Sequence, residues 1–147
     1  PLTSIRLTVR ALLDVVGSWF GRAPLLVPLA AAPGDLALMT APDALPGYVG
    51  LVGEDSTFRN EASARTAFSV LSSFPGRRAK ALACPAFFVV CETDTVAPAR
   101  ATLRHVAKAP RGEVLRYPAG HFDIYVGQDF ERVVEAETAF LQRVVPA

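Results

Sequence analysis

Pro85-Ala86-Phe87-Phe88-Val89-Val90-Cys91-Glu92-Thr93-Asp94 and, further on, Glu113-Val114-Leu115-Arg116-Tyr117-Pro118-Ala119-Gly120-His121 are the two stretches that decide the fold. The first is a continuous apolar run of strand length behind a proline, the pattern of a strand buried on both faces. The second is shorter and alternates more, which places it near a sheet edge. Between them, residues 97–109 read as a helix with Leu103, Val106 and Ala107 turned inward. After them, residues 130–144 read as a last helix whose apolar stripe is Phe130, Val133, Val134, Phe140 and Leu141. Strand, helix, strand, helix predicts two parallel strands joined by a right-handed crossover, an α/β arrangement.

Upstream the character changes. Residues 2–20 put Leu2, Ile5, Val9, Leu12, Leu13, Val16, Trp19 and Phe20 at mostly three- and four-residue steps, an amphipathic helix closed by Gly21. Residues 22–57 hold Pro24, Pro28, Pro33, Pro42 and Pro46 among Gly34, Gly47, Gly50 and Gly53, so short helical turns are expected there, with no long helix and no central strand. Asn60 is expected to cap a helix over 61–74 that Pro75-Gly76 ends. The domain reading is a helical, cap-like region over 1–80 and an α/β portion over 81–147.

Composition excludes several classes of function. Hydrophobic residues make 51% of the 147 and charged residues 20%, which fits a folded chain with a real core. Apolar runs such as 25–32 are broken by prolines and fall short of the ~18 residues that cross a bilayer. Fifteen basic against fourteen acidic residues leave a net charge of +1, no footprint for nucleic acid, and the short cluster Arg77-Arg78-Ala79-Lys80 reads as a solvated surface. Cys84 and Cys91 are an odd number of residues apart across a strand and point to opposite faces, so they read as buried free thiols of a reducing, cytoplasmic compartment.

In an open parallel sheet, ligands gather outside the carboxyl ends of the strands. Asp94 and His121 both follow such ends, and a carboxylate beside an imidazole fixes its tautomer and stabilises the imidazolium it becomes on taking a proton. They are the candidate catalytic residues. Asp123 and Glu92 compete as the acid; Asp123 is expected to order its loop and Glu92 its turn. His105 falls on the crossover helix and is expected at the surface. Trp19, Phe20, Met39 and Tyr48 read either as an acyl pocket or as ordinary apolar packing, and Ser72-Ser73 as a helix end.

The segment from Cys84 to Val144 resembles the end of the α/β-hydrolase fold, in which a Cys/Gly-Glu-x-Asp turn bears the triad acid and a Gly-His loop, one helix and one strand later, bears the triad base. Asp94 and His121 match those positions in the family's order of Ser, Asp, His. The stretch from Ala41-Pro42-Asp43 to Phe58-Arg59-Asn60-Glu61 looks like the cap region of bacterial hydrolases that end in Gly-His-Phe-Asp-Ile-Tyr. The resemblance implies a serine hydrolase acting on an ester or related acyl bond of a small molecule, with no metal or organic cofactor. The chain departs from the family in one respect: no Gly-x-Ser-x-Gly occurs, and Gly17-Ser18-Trp19-Phe20-Gly21 has the wrong spacing and ends a helix. The expectation is a C-terminal fragment that lacks the nucleophile and is inactive by itself. Two alternatives stand beside it: a non-catalytic remnant that works as an interaction module, self-associating through an exposed strand edge, and a dehalogenase or C–C hydrolase of the same fold.

Overall fold

The computed structural model describes residues 2–145. The chain divides into two compact units, Pro1–Ser73 and Phe74–Ala147. The division comes before the expected 80/81 boundary because Pro75–Ala81 forms a 3-10 helix that packs on the crossover helix of the second unit.

In the first unit, helix α1 spans Leu2–Trp19 and ends at Gly21, whose φ of 68° lies in the left-handed region. Its rotation differs from the expected one. Leu7, Ala11 and Asp14, spaced by about one and two turns, face the core, while Leu2, Ile5, Val9, Leu12, Leu13, Val16, Trp19 and Phe20 remain exposed. The cause is polar: Asp14 takes the N–H groups of Leu25 and Arg65 at 2.8 and 2.9 Å and Nε of Arg65 at 3.0 Å, which turns that face inward. Two short strands, β1 (Leu26–Val27) and β2 (Ala62–Ser63), pair antiparallel, and Val27, Ala64 and Ala67 close the core against Ala11. Helix α2 is one short segment, Ala44–Gly50, and accepts Pro46 in its first turn, where no N–H is missed. Helix α3 spans only Thr66–Ser72. Asn60 therefore caps nothing: its side chain instead grips both backbone groups of Ala30, Oδ1 accepting the N–H at 2.9 Å and Nδ2 donating to the carbonyl at 2.8 Å.

The second unit follows the expected order. Strands β3 (Ala86–Cys91) and β4 (Gly112–Tyr117) are parallel and in step, from Ala86 opposite Gly112 to Cys91 opposite Tyr117. Helix α4 (Ala99–Val106) makes the crossover and helix α5 (Gly127–Val144) follows β4. Successive strand residues point to opposite faces. Phe87 stacks on Phe140 of α5 at 5.3 Å, whereas Phe88 faces the α4 side, so the helices cover the two faces of the pair. Along these helices Val106, Val133 and Phe140 are buried as expected; Ala107, Phe130, Val134 and Leu141 are exposed instead, because α4 ends at Val106 and the α5 contact is a narrower stripe. Cys91 is buried and free; Cys84, ahead of the strand proper, is free and exposed, contrary to the expected burial. No helix among the described residues is long and apolar enough to cross a membrane.

Candidate active site

The two strands end level, and the chain keeps pairing past them. The N–H of Glu92 donates to the carbonyl of Tyr117 at 2.8 Å and the N–H of Thr93 to that of Ala119 at 3.2 Å. The loops that leave β3 and β4 are thus tied side by side, and Asp94 and His121 are the next polar side chains on each.

Oδ2 of Asp94 lies 2.8 Å from Nδ1 of His121. Its other oxygen, Oδ1, accepts the N–H groups of Val96 and Ala97 at 2.8 and 2.6 Å, an Asx-type turn that fixes the carboxylate within its own loop. The Asp94 side chain is 9% exposed and the His121 ring 30% exposed, so the acid is sheltered and the imidazole reaches solvent. The ring is held on its flanks as well: Phe122 meets it edge-on at 4.9 Å and Tyr125 at 6.5 Å. A cavity of about 170 Å³ opens onto the pair, lined by Cys91, Asp94, Thr102, His121, Ile124 and Tyr125 among others. A larger apolar cavity, about 570 Å³, lies between the Pro75–Ala81 turn and α4; it contains neither member of the pair and touches the smaller one only at Ala97 and Thr102. The Asp94–His121 pair lines the smaller cavity, while the wall of the larger one carries His105 among mostly apolar groups.

The competitors have other partners. Asp123 accepts the N–H of Gly120 at 2.7 Å and so orders the histidine loop. Glu92 pairs with Arg116 at 2.8 Å across the strand ends. His105 is half-buried, not at the surface as expected: its ring packs so closely on Gly76 that a Cβ there would stand 2.9 Å from its Cγ. Burial pushes the Cys91 thiol up, and the charges of Asp94 and Asp123 push the same way, so Cys91 stays protonated and is a poor nucleophile. Trp19 and Phe20 are each 75% exposed, Phe20 on the rim of a cavity of about 400 Å³ that it shares with Leu13, Val16 and Leu25, while Tyr48 stacks on Phe58 at 5.9 Å. Ser18 donates to Val15 at 2.6 Å and Ser72 to Ser69 at 3.3 Å, both within helix ends. Among the described residues, no three His, Cys, Asp or Glu side chains converge as a metal site requires.

Tyr117, Asp129, Thr102 and Tyr125 were not singled out by the sequence. Tyr117 and Asp129 did carry a signal, one closing a strand just before the Pro118-Ala119-Gly120 turn and the other an acid in the first turn of a helix.

A parallel strand pair with helices on both faces and a carboxylate–imidazole pair at its carboxyl end defines the fold: the chain carries part of an α/β-hydrolase fold. It is 45% identical over 146 residues to the quorum-quenching protein AidA of Acinetobacter baumannii (strain MDR-ZJ06), an alignment of 99% of this chain with 48% of that protein. The chain thus spans about half the length of the curated relative it matches. Among solved structures it is similar to DcsB in complex with its substrate analogue, with a TM-score of 0.78, 19% identity, and coverage of 100% of this chain and 53% of that one. It is also similar to the α/β hydrolase GrgF from Penicillium sp. sh18, with a TM-score of 0.70, 21% identity, and coverage of 100% and 51%. No family model matches the chain.

Proposed function

We propose that this chain supplies the acid and base of an α/β-hydrolase-type serine hydrolase that cleaves an ester or related acyl bond. The observation that carries the reading is the 2.8 Å contact between His121 Nδ1 and Asp94 Oδ2 where two adjacent parallel strands finish. With Nδ1–H donated to Asp94, Nε2 is the nitrogen left to take a proton from a nucleophile and return it to the leaving group. The nucleophile and the oxyanion donors come from outside these 147 residues, which hold no Gly-x-Ser-x-Gly. The relative described as quorum-quenching suggests the substrate class, a small signalling molecule with a hydrolysable acyl bond.

The test is a chimera in which these 147 residues replace the aligned segment of the AidA relative. The chimera is expected to label with a fluorophosphonate at a serine and to lose labelling on His121→Ala, while the 147-residue chain by itself stays unlabelled. Labelling that survives His121→Ala would sink the assignment.

One observation favours a second reading, an interaction module. Strand β3 pairs with β4 along one edge, and among the described residues no strand covers its other edge.

A further inference from the structure

The histidine loop is bracketed by a contact between side chains that neither touch His121 nor belong to the triad. Tyr117 is the last residue of β4, and its hydroxyl donates to Oδ1 of Asp129, in the first turn of α5, at 2.8 Å. Residues 118–126, with His121 among them, connect β4 to α5, and that bond closes across them. The geometry around the bond is fixed on both sides. The Tyr117 carbonyl accepts the N–H groups of Glu92 and Ala119, each at 2.8 Å, so the residue is anchored to the Asp94 loop through its backbone. Gly127 turns the chain into α5 at a φ of 61°, a conformation that favours glycine and brings Asp129 back toward the end of β4. Arg132 lies 3.9 Å from the same Asp129 oxygen and balances its charge.

We infer that Tyr117 and Asp129 are positioning residues, a hydrogen-bonded clasp that closes the histidine loop and so holds the His121 ring against Asp94. The inference rests on the hydrolase reading above. A groove binding its base this way gains from a pre-set loop, because a small misplacement of an imidazole costs much of its efficiency as a base. The same two elements, β4 and α5, are also joined at their far ends, where Arg143 donates to Glu113 at 2.5 Å. That second bond provides the control: it docks α5 on β4 at the end away from the histidine loop.

The experiment is ¹⁵N NMR of the imidazoles in the 147-residue chain, read as the ratio of Nδ1–H to Nε2–H tautomer of neutral His121. Wild type is expected to hold Nδ1–H toward Asp94, and Asp94→Asn to lose that preference. Tyr117→Phe and Asp129→Ala are each expected to shift the ratio about fivefold toward Nε2–H, the reach of one hydrogen bond of ordinary net strength. Asp129→Asn, which keeps an acceptor oxygen, is expected to restore the wild-type ratio, and Arg143→Met to leave it unmoved. A wild-type ratio in both Tyr117→Phe and Asp129→Ala overturns the clasp while Asp94→Asn still responds. A shift in Arg143→Met as large as that in Tyr117→Phe overturns it too, since it traces the effect to helix docking in general. A ratio that Asp94→Asn fails to move overturns the pair itself, and the clasp with it.

Discussion

Asp94 divides its two oxygens between its own loop and its neighbour: Oδ1 takes the N–H groups of Val96 and Ala97, and Oδ2 faces Nδ1 of His121 at 2.8 Å. The acid is fixed before it fixes the imidazole. Asp94→Asn keeps one acceptor oxygen for the loop but removes the charge that, on the proposed function, selects the tautomer. In the chimera, turnover of an acyl substrate is expected to fall about 10⁴-fold with the fold intact. Turnover within about tenfold of the parent would show that Asp94 does not act through His121.

Asp14 carries the first unit in a comparable way. It is 2% exposed and its three hydrogen bonds reach Leu25 and Arg65 from the middle of α1. Removing it strands the Arg65 guanidinium and two N–H groups, and Asp14→Ala is expected to lower the melting temperature by more than about 5 °C. Calorimetry checks this; an unchanged melting temperature would mean that the apolar contacts of Leu7 and Ala11 hold α1 without help.

Acid should act through the same residue. Burial pushes the Asp14 carboxyl up, but the N–H groups of Arg65 and Leu25 and the Arg65 charge outweigh it and hold the carboxyl below the ordinary carboxylate range. A depressed acid lends stability that is complete above its unfolded value, near about pH 4, and is lost as pH falls through the lower folded value. Helicity of the wild type is therefore expected to fall below about pH 4, with a shallower fall in Asp14→Asn. Equal acid limbs in the two proteins would contradict the assignment.

At the alkaline end the clasp residue takes over. The hydrogen bond to Asp129, aided by burial, raises the Tyr117 hydroxyl above its ordinary value. A raised group contributes below its unfolded value, about pH 10, and its contribution disappears as pH climbs through the folded value. Urea midpoints of wild type and Tyr117→Phe are expected to differ at neutral pH and to converge above about pH 10.

Gly76 and His105 share one space. A methyl at Gly76 would meet the His105 ring at 2.9 Å, so Gly76→Ala is expected to destabilise the second unit by about 1–3 kcal/mol. His105→Ala vacates the space, and the double variant should recover part of that loss, a coupling visible in a double-mutant cycle. Additive effects would show that the turn relaxes by another route.

Among the described residues strand β3 has β4 along one edge and no strand along the other, so sedimentation at several concentrations bears on the interaction-module reading. That reading expects a discrete dimer. A monomer at every concentration would count against it.

The second unit was largely legible because its elements follow local pattern. An unbroken apolar run such as Ala86–Cys91 has one economical use, and the turn after it leaves Asp94 only one place to be. The first unit was not, because its elements depend on distant polar groups. Strands of two residues, β1 and β2, have no periodicity to read; they exist through pairings such as Leu26 with Ser63. Asn60 looked like a cap by residue type, yet its partner is Ala30, thirty positions away. The rotation of α1 was set by an aspartate in the middle of an apolar run, and Asp14 between Leu13 and Val15 was the available warning. At the site, His121 and Asp94 were found from strand ends, while Tyr117–Asp129 needed the return of α5 onto β4, which sequence spacing does not encode.

The split between Ser73 and Phe74 has a practical consequence for how such a molecule can be rearranged. Asp94 and His121, together with the hydrogen bonds that hold them, lie on the contiguous piece that begins at Phe74. A cut at that junction severs none of those bonds, so the acid–imidazole pair travels as one cassette when the second unit is grafted onto another scaffold.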